Sequence, residues 1–185
     1  MFKYLRSVGR VRGIGLPKEP TPVELSWLAG LIDGDGCICL TVSERTDAKT
    51  LRIYPRVIIA MAHDKAWIEP VTDILGRLGA TYYTRTYIPP DKRAAQTAVT
   101  VTRKKHVQTV IDAIRPYTVL KKEQVRLMGK YLKMKYSWPG DIRPVLDVLD
   151  ELRSYNQTSC HIKWSRKKVL DHWHEYHRRR GKPKD

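Results

Sequence analysis

Apolar and polar positions alternate along four stretches of the chain and recur at helical spacing between them. Thr21-Pro22-Val23-Glu24 has the form of a capping box with proline at the first helical position, and it predicts a helix of about a dozen residues that ends at a Gly/Asp turn. Ile38, Leu40 and Val42 then alternate with Cys39, Thr41 and Ser43, which is the period of a strand. A polar turn around Asp47-Ala48-Lys49 leads to a second strand over 51–61, with Leu51, Ile53, Val57 and Ile59 on one face and Arg52, Tyr54 and Arg56 on the other. Asp64 is placed to cap a helix that runs to about Leu78, where Gly79 stops it. Residues 81–88 and 95–103 read as a hairpin around Pro89-Pro90-Asp91. Helices follow over about 104–115, 121–136, 142–154 and 165–179, separated by Pro116, Pro139-Gly140 and the polar run from Asn156 to Ser159.

The resulting order is αββαββα with additional helices after it, an α+β fold. A four-stranded, twisted antiparallel sheet of this kind buries its apolar face under helices and leaves the other face for a partner. That open face is expected to hold Arg45, Arg52, Tyr54, Arg56 and Arg85, with Thr100 and Thr102 beside them. Composition indicates what the partner is. The chain carries 35 Lys+Arg against 19 Asp+Glu, a formal charge of +16, and such an excess repels itself unless a polyanion binds. Nucleic acid leads, because arginine on a two-stranded ribbon can bond guanine bidentately in the major groove. No apolar run is long enough to span a membrane.

Cys37, Cys39 and Cys160 give neither a disulfide framework nor a CxxC metal pattern, which fits reduced thiols in an intracellular protein. The first 20 residues carry Arg6, Arg10 and Arg12 and lack the continuous apolar core of a signal peptide; they read as a basic arm that touches DNA, with a transit peptide as the alternative. Residues 21–136 form the core in this reading. Residues 137–185 form a helical extension with a basic tail. His172, His174 and His177 lie close together in that extension, but 172 and 174 face different sides of a helix, so a basic tail on phosphate is the simpler reading.

The chemistry centres on Leu28 to Gly36, LAGLIDGDG. Ala29 and Gly30 allow another helix to approach closely. Asp33 and Asp35 fall near the negative pole of the helix dipole, a placement that is unfavourable by roughly 0.3–1 kcal/mol per acid unless something positive offsets it. A divalent cation with oxygen ligands, such as Mg²⁺, meets that need. Taken alone, a DGDG would be an ordinary turn. The whole nine-residue string, with the αββαββα order, resembles the LAGLIDADG homing endonucleases; it departs only in Gly34, where the family name has alanine. The resemblance covers roughly residues 20–136.

The resemblance implies that the motif helices of two αββαββα units pack together, through Leu28, Ala29, Gly30, Ile32 and Asp33, and bring two acids to the two scissile phosphates of double-stranded DNA. One motif in the chain implies a homodimer. It implies Asp35 as metal ligand with the Gly34 carbonyl, and Asp33 in the helix end and interface. Lys65, with His63 as alternative, and Lys121, with Lys122 as its neighbour, are implied beside the scissile phosphate, and Gln124 as an organiser of water. A glutamine common near the end of the second strand is missing, its place taken by Met61 or Ala62. Mg²⁺ is the expected cofactor, with Mn²⁺ able to substitute and Ca²⁺ binding without supporting cleavage. The implied activity is phosphodiester hydrolysis at a long pseudo-palindromic site by an intron-encoded enzyme, in an archaeal cytoplasm or an organelle (chloroplast or mitochondrion). The rivals are a maturase of the same fold that binds intron RNA, and a DNA-binding regulator that does not cut.

Overall fold

The computed structural model describes residues 5–7, 19–45, 50–88, 94–135, 141–156 and 163–180. In chain order the elements are β1 (Leu5–Ser7), α1 (Pro22–Asp35), β2 (Gly36–Arg45), β3 (Thr50–Ala62), α2 (Lys65–Arg77), β4 (Tyr83–Tyr87), β5 (Gln96–Val101), α3 (Lys104–Ile114), α4 (Lys122–Lys133), α5 (Arg143–Tyr155) and α6 (Arg166–Arg180). The mixed α+β architecture expected from periodicity is present: β2–β5 and α1–α3 give αββαββα, and three helices follow. The turns at Asp47-Ala48-Lys49, Pro89-Pro90-Asp91 and Pro139-Gly140, and Cys160, lie outside the described residues.

All pairings are antiparallel, and the sheet order is β1-β4-β5-β3-β2. The four expected strands thus gain a short fifth, drawn from the stretch read as a free basic arm: Leu5, Arg6 and Ser7 pair with Thr86, Arg85 and Thr84. Along β3, Leu51, Ile53, Val57 and Ile59 are buried while Arg52, Tyr54 and Arg56 are not, so strand alternation sorts the two faces as the sequence predicts. The buried face packs against α1, α3, α4 and α5, forming one apolar core that takes in Leu28, Ile32, Val107, Ile111, Leu127, Met128, Leu146 and Leu149. The Tyr131 hydroxyl donates to the Ile53 carbonyl at 2.9 Å, which satisfies a β3 acceptor beneath the helices. Asn156, just past α5, donates to the Ile38 carbonyl at 3.1 Å and so caps part of the free edge of β2. No helix among the described residues is long and apolar enough to cross a membrane.

Candidate functional site

The helix that carries the acids is fixed at both ends. At its start the capping box forms in both directions: Glu24 N–H donates to Thr21 Oγ1 at 3.3 Å, and Thr21 N–H donates to Glu24 Oε2 at 2.7 Å. Arg77, at the end of α2, pairs with Glu24 and with Asp73. The Arg77 hydrogen bond, with those from Thr21, lowers the Glu24 carboxyl to about 2. At its other end α1 continues through Asp35, so the acids occupy the last helical turn and not a loose turn beyond it. The chain leaves at Gly36, whose N–H still donates to the Ile32 carbonyl. A Cβ at 36 would meet the Ile32 backbone at 2.5–2.6 Å, so glycine permits the immediate switch from helix to β2.

Asp33 is 8% exposed and reaches across to the segment before α4. Its Oδ2 accepts from the Val119 and Leu120 amides at 2.7 and 3.1 Å, and its Oδ1 accepts from the Lys121 amide at 2.9 Å. The Lys121 ammonium in turn donates to the Asp33 carbonyl. The positive partner that the helix terminus demands is therefore supplied to Asp33 within the chain. Asp35 is different: it is exposed, and no described residue bonds or pairs with its carboxylate. Gly34 beside it is exposed as well, and its carbonyl falls among the last four of the helix, which have no intrahelical partner.

An unpartnered carboxylate and a free peptide carbonyl are hard oxygen donors that suit Mg²⁺, which keeps waters and takes one or two carboxylates plus substrate phosphates. Among the described residues no three His, Cys, Asp or Glu side chains gather to hold a metal within one chain. Asp35 and Gly34 thus offer two oxygen donors at one helix terminus, without a closed cage among the described residues.

Lys65 is the first residue of α2, exposed, just after the Asp64 cap that accepts from the Ala66 amide at 2.8 Å. Trp67 Nε1 donates to the Ala62 carbonyl at 2.8 Å and ties this helix start to the end of β3. Gly36 pairs with Ile59, so Asp35, Lys121 and the Ala62–Lys65 corner share one end of the sheet. His63, the alternative to Lys65, is engaged elsewhere: its Nδ1 lies 2.7 Å from Thr97 Oγ1, which lies 2.9 Å from Thr86 Oγ1. Met61 continues the core-facing series of β3 and packs against the core, while Ala62 is exposed. Lys122 is exposed, whereas Gln124 is 5% exposed, which takes it away from an organising role in surface water.

From that end the open sheet face extends outward. Across β2 and β3, Cys39 pairs with Arg56, Thr41 with Tyr54, and Ser43 with Arg52. The Arg52 guanidinium lies 5.4 Å from the Tyr54 ring centroid. Arg85 is exposed, opposite Ala98. Arg45 closes β2, and its side chain lies outside the described residues. Thr100 corrects the expectation: it is on the open face, between Ile58 and Tyr83, yet only 1% exposed, so it cannot reach a base. Beside it Arg56 Nη2 donates to the Tyr83 hydroxyl at 3.1 Å, a bridge that spans the Thr100 position. Arg56 Nε is buried without a partner. Thr102, one residue beyond β5, is half-buried. The sequence reading missed Tyr83, although it alternates with Arg85 within the predicted strand, and the thiol pair. Hydrogen bonding from Cys37 lowers the Cys39 thiol to about 7, aided by the Arg56 charge, and raises Cys37.

The expected helix interface also needs correction. Leu28, Ala29 and Ile32 are fully buried in their own core, and Asp33 is spent on the clasp, so none of the four is available to a second subunit. Gly30 is exposed, and its neighbours on the outward stripe of α1 are Val23, Trp27 and Gly34. Val119 and Leu120, held by Asp33, are 75% and 77% exposed, which is unusual for such apolar side chains. In α6 the histidines meet aromatic rings: His172 packs edge-on to Trp164, and His174 and His177 to Trp173.

The model of the LAGLIDADG endonuclease family matches residues 28–134. No curated protein sequence matches the chain. Among solved structures, the chain is similar to the homing endonuclease I-CvuI bound to DNA, at 20% identity over 83% of this chain and 94% of that one, with a TM-score of 0.63. It is similar to the archaeal intron-encoded I-Vdi141I in complex with DNA, at 15% identity over 84% and 97%, with a TM-score of 0.61. It is similar also to the group I intron-encoded I-CeuI in complex with DNA, at 15% identity over 83% and 77%, with a TM-score of 0.60. At these identities the likeness speaks for the fold.

Proposed function

We infer that this chain, which belongs to the LAGLIDADG endonuclease family, is a site-specific, intron-encoded homing endonuclease that cuts both strands of a long pseudo-palindromic DNA target as a homodimer with divalent metal. The observation that carries the reading is the contrast between the two acids: Asp33 is fully engaged within the chain, while Asp35, at the same helix terminus, is exposed and unpartnered. A carboxylate left bare at the negative pole of a helix calls for a cation.

Asp35 and the Gly34 carbonyl would hold that cation, with Mg²⁺ as the physiological ion, Mn²⁺ able to replace it and Ca²⁺ binding without cleavage. When bound, a divalent metal acidifies water and neutralises charge that develops on the attacking and leaving oxygens. The chain's own residues do the rest. Lys121, fixed through its amide by Asp33, presents a cation at the terminus that carries Asp35, where it stabilises added charge on the phosphate. Lys65 acts likewise from the β3–α2 corner. Arg52, Tyr54, Arg56 and Arg85 read bases or fix the backbone from the open face; Arg56, tied to Tyr83, reads in one fixed orientation.

The homodimer follows from counting: the one exposed acid of the motif helix terminus cannot serve two strands. The α1 stripe of Val23, Trp27, Gly30 and Gly34, with Val119 and Leu120, is the surface that a second copy would cover. The clasp then joins catalysis to assembly, because the segment that carries Lys121 also carries the apolar contacts. Retention of Asp35 favours the enzyme over a non-cutting maturase or regulator. The test is to incubate purified protein with Mg²⁺ and a plasmid library of randomised sites. Recovery of discrete double-strand cuts at one site family supports the reading; no cutting, or random nicking, refutes it.

A further inference from the structure

The helix layer carries a second cationic surface, on the side of the sheet that the proposed DNA duplex does not use. A groove of about 510 Å³ runs along the outer face of α4 and is lined by five cations, Arg115, Lys122, Arg126, Lys130 and Lys133, by one carboxylate, Glu123, and by Val125 and Gly129. Arg115 is paired with Asp112 at 2.8 Å, and Arg126 with Glu123 at 2.6 Å and Glu151 at 3.4 Å. Lys122, Lys130 and Lys133 are exposed and have no partner among the described residues. They lie along one face of a single helix, over roughly 16 Å at 1.5 Å per residue.

Gly129 forms part of the floor. Glycine inside a helix is unfavourable, yet here a Cβ would come within 3.2 Å of Arg115 Nη2. The glycine lets that guanidinium lie against α4 and keeps the groove open. The opposite side of α4 contributes Leu127, Met128 and Tyr131 to the core. A whole helix layer, roughly 10 Å thick, therefore separates the groove from Arg52 and Arg56 on the open sheet face, and a duplex seated on the sheet cannot also neutralise Lys130 and Lys133, which lie roughly two to three turns from the Lys121 end of α4.

We propose that the α4 groove binds the phosphodiester backbone of a second nucleic acid, a single polynucleotide strand. A line of unpaired lysines in a concave channel follows one strand; the broad convex surface of a duplex matches the sheet instead. No aromatic side chain among the described residues lines the groove, so it contacts phosphates without stacking bases and shows little sequence preference. This surface is independent of whether the chain cuts DNA.

The test uses the full chain, fluorescein-labelled single-stranded RNA and DNA oligomers of equal length and mixed sequence, and an unlabelled duplex. Lys130→Gln/Lys133→Gln should weaken single-strand binding by roughly tenfold at low salt. It should also reduce the slope of log affinity against log salt by about 1.4, from two contacts at about 0.7 each. Duplex binding should be unchanged. Arg52→Ala should do the reverse, and saturating duplex should leave the labelled strand bound. Tighter binding of RNA than of DNA assigns the groove to RNA, and equal binding assigns it to any single strand; both support a second surface. Full displacement by duplex, equal loss on both ligands, or no loss on single strands in the double variant would overturn it.

Discussion

Replacing Asp33 with asparagine keeps the shape of the side chain and removes the charge that clasps the segment before α4. The native carboxylate accepts three amide hydrogen bonds, from Val119, Leu120 and Lys121, at 8% exposure. With the amide oxygen at the Oδ2 position, two bonds survive but fall from charge-assisted to neutral strength, a loss of about 1 kcal/mol each. The NH₂ group then faces the Lys121 amide, donor against donor, at a cost of about 1–3 kcal/mol. Relief of a negative charge at the helix C-terminus returns roughly 0.3–1 kcal/mol. The net destabilisation is about 2–5 kcal/mol, which for a chain of this size lowers the midpoint of thermal unfolding by roughly 4–20 °C. Cleavage should fall as well, measured where the variant is still folded, because Lys121 loses its anchor. Thermal denaturation with a cleavage time course at low temperature reads both effects. A midpoint within about 1 °C of the parent, with parental cutting, would show that the clasp holds neither stability nor the active end.

Gly30→Leu should leave the monomer folded, since a Cβ there meets nothing within 4 Å in its own chain; it should cost dimerisation and double-strand cutting together, as read by sedimentation, and an intact dimer would reject the α1 stripe as the interface. Arg52→Ala, profiled against a library of sites, should relax preference at discrete base pairs by roughly 1–3 kcal/mol where contact is bidentate, whereas a uniform loss would mean a phosphate contact. The Glu24 carboxyl is lowered from 4.5 to about 2 by Arg77 and Thr21, so its stabilising effect is complete above pH 4.5 and is lost as pH falls toward 2. Glu24→Gln should therefore destabilise the protein at neutral pH and flatten the acid limb of its stability profile; an unchanged limb would remove the pair from the account.

Where the chain alternates, it could be read directly. Leu51, Ile53, Val57 and Ile59 against Arg52, Tyr54 and Arg56 sorted β3 into two faces, and every expected helix formed within a few residues of its expected bounds. The motif helix was harder, because LAGLI is apolar all round: Ala29 and Gly30 are equally small, and only packing shows that the first is core and the second is surface. The Asp33 clasp had no signature, since its partners are backbone amides more than eighty residues away. Asp35 and Lys121 were nominated by family resemblance, and the link between them runs through Asp33, which spacing could not reveal. Thr100 obeyed alternation and still missed its role, because burial on a sheet face depends on neighbours such as Arg56 and Tyr83.

The central claim is that the exposed acid of the motif helix performs cleavage and the sheet performs binding. Asp35→Asn separates the two, because it removes a hard metal ligand and leaves every described contact of the fold in place. Parent and variant are compared on one cleavable site selected from the randomised library, with duplex affinity and Mg²⁺-dependent cutting measured side by side. Loss of cutting with affinity unchanged is the predicted result. Substantial Mg²⁺-dependent double-strand cutting by Asp35→Asn would contradict it.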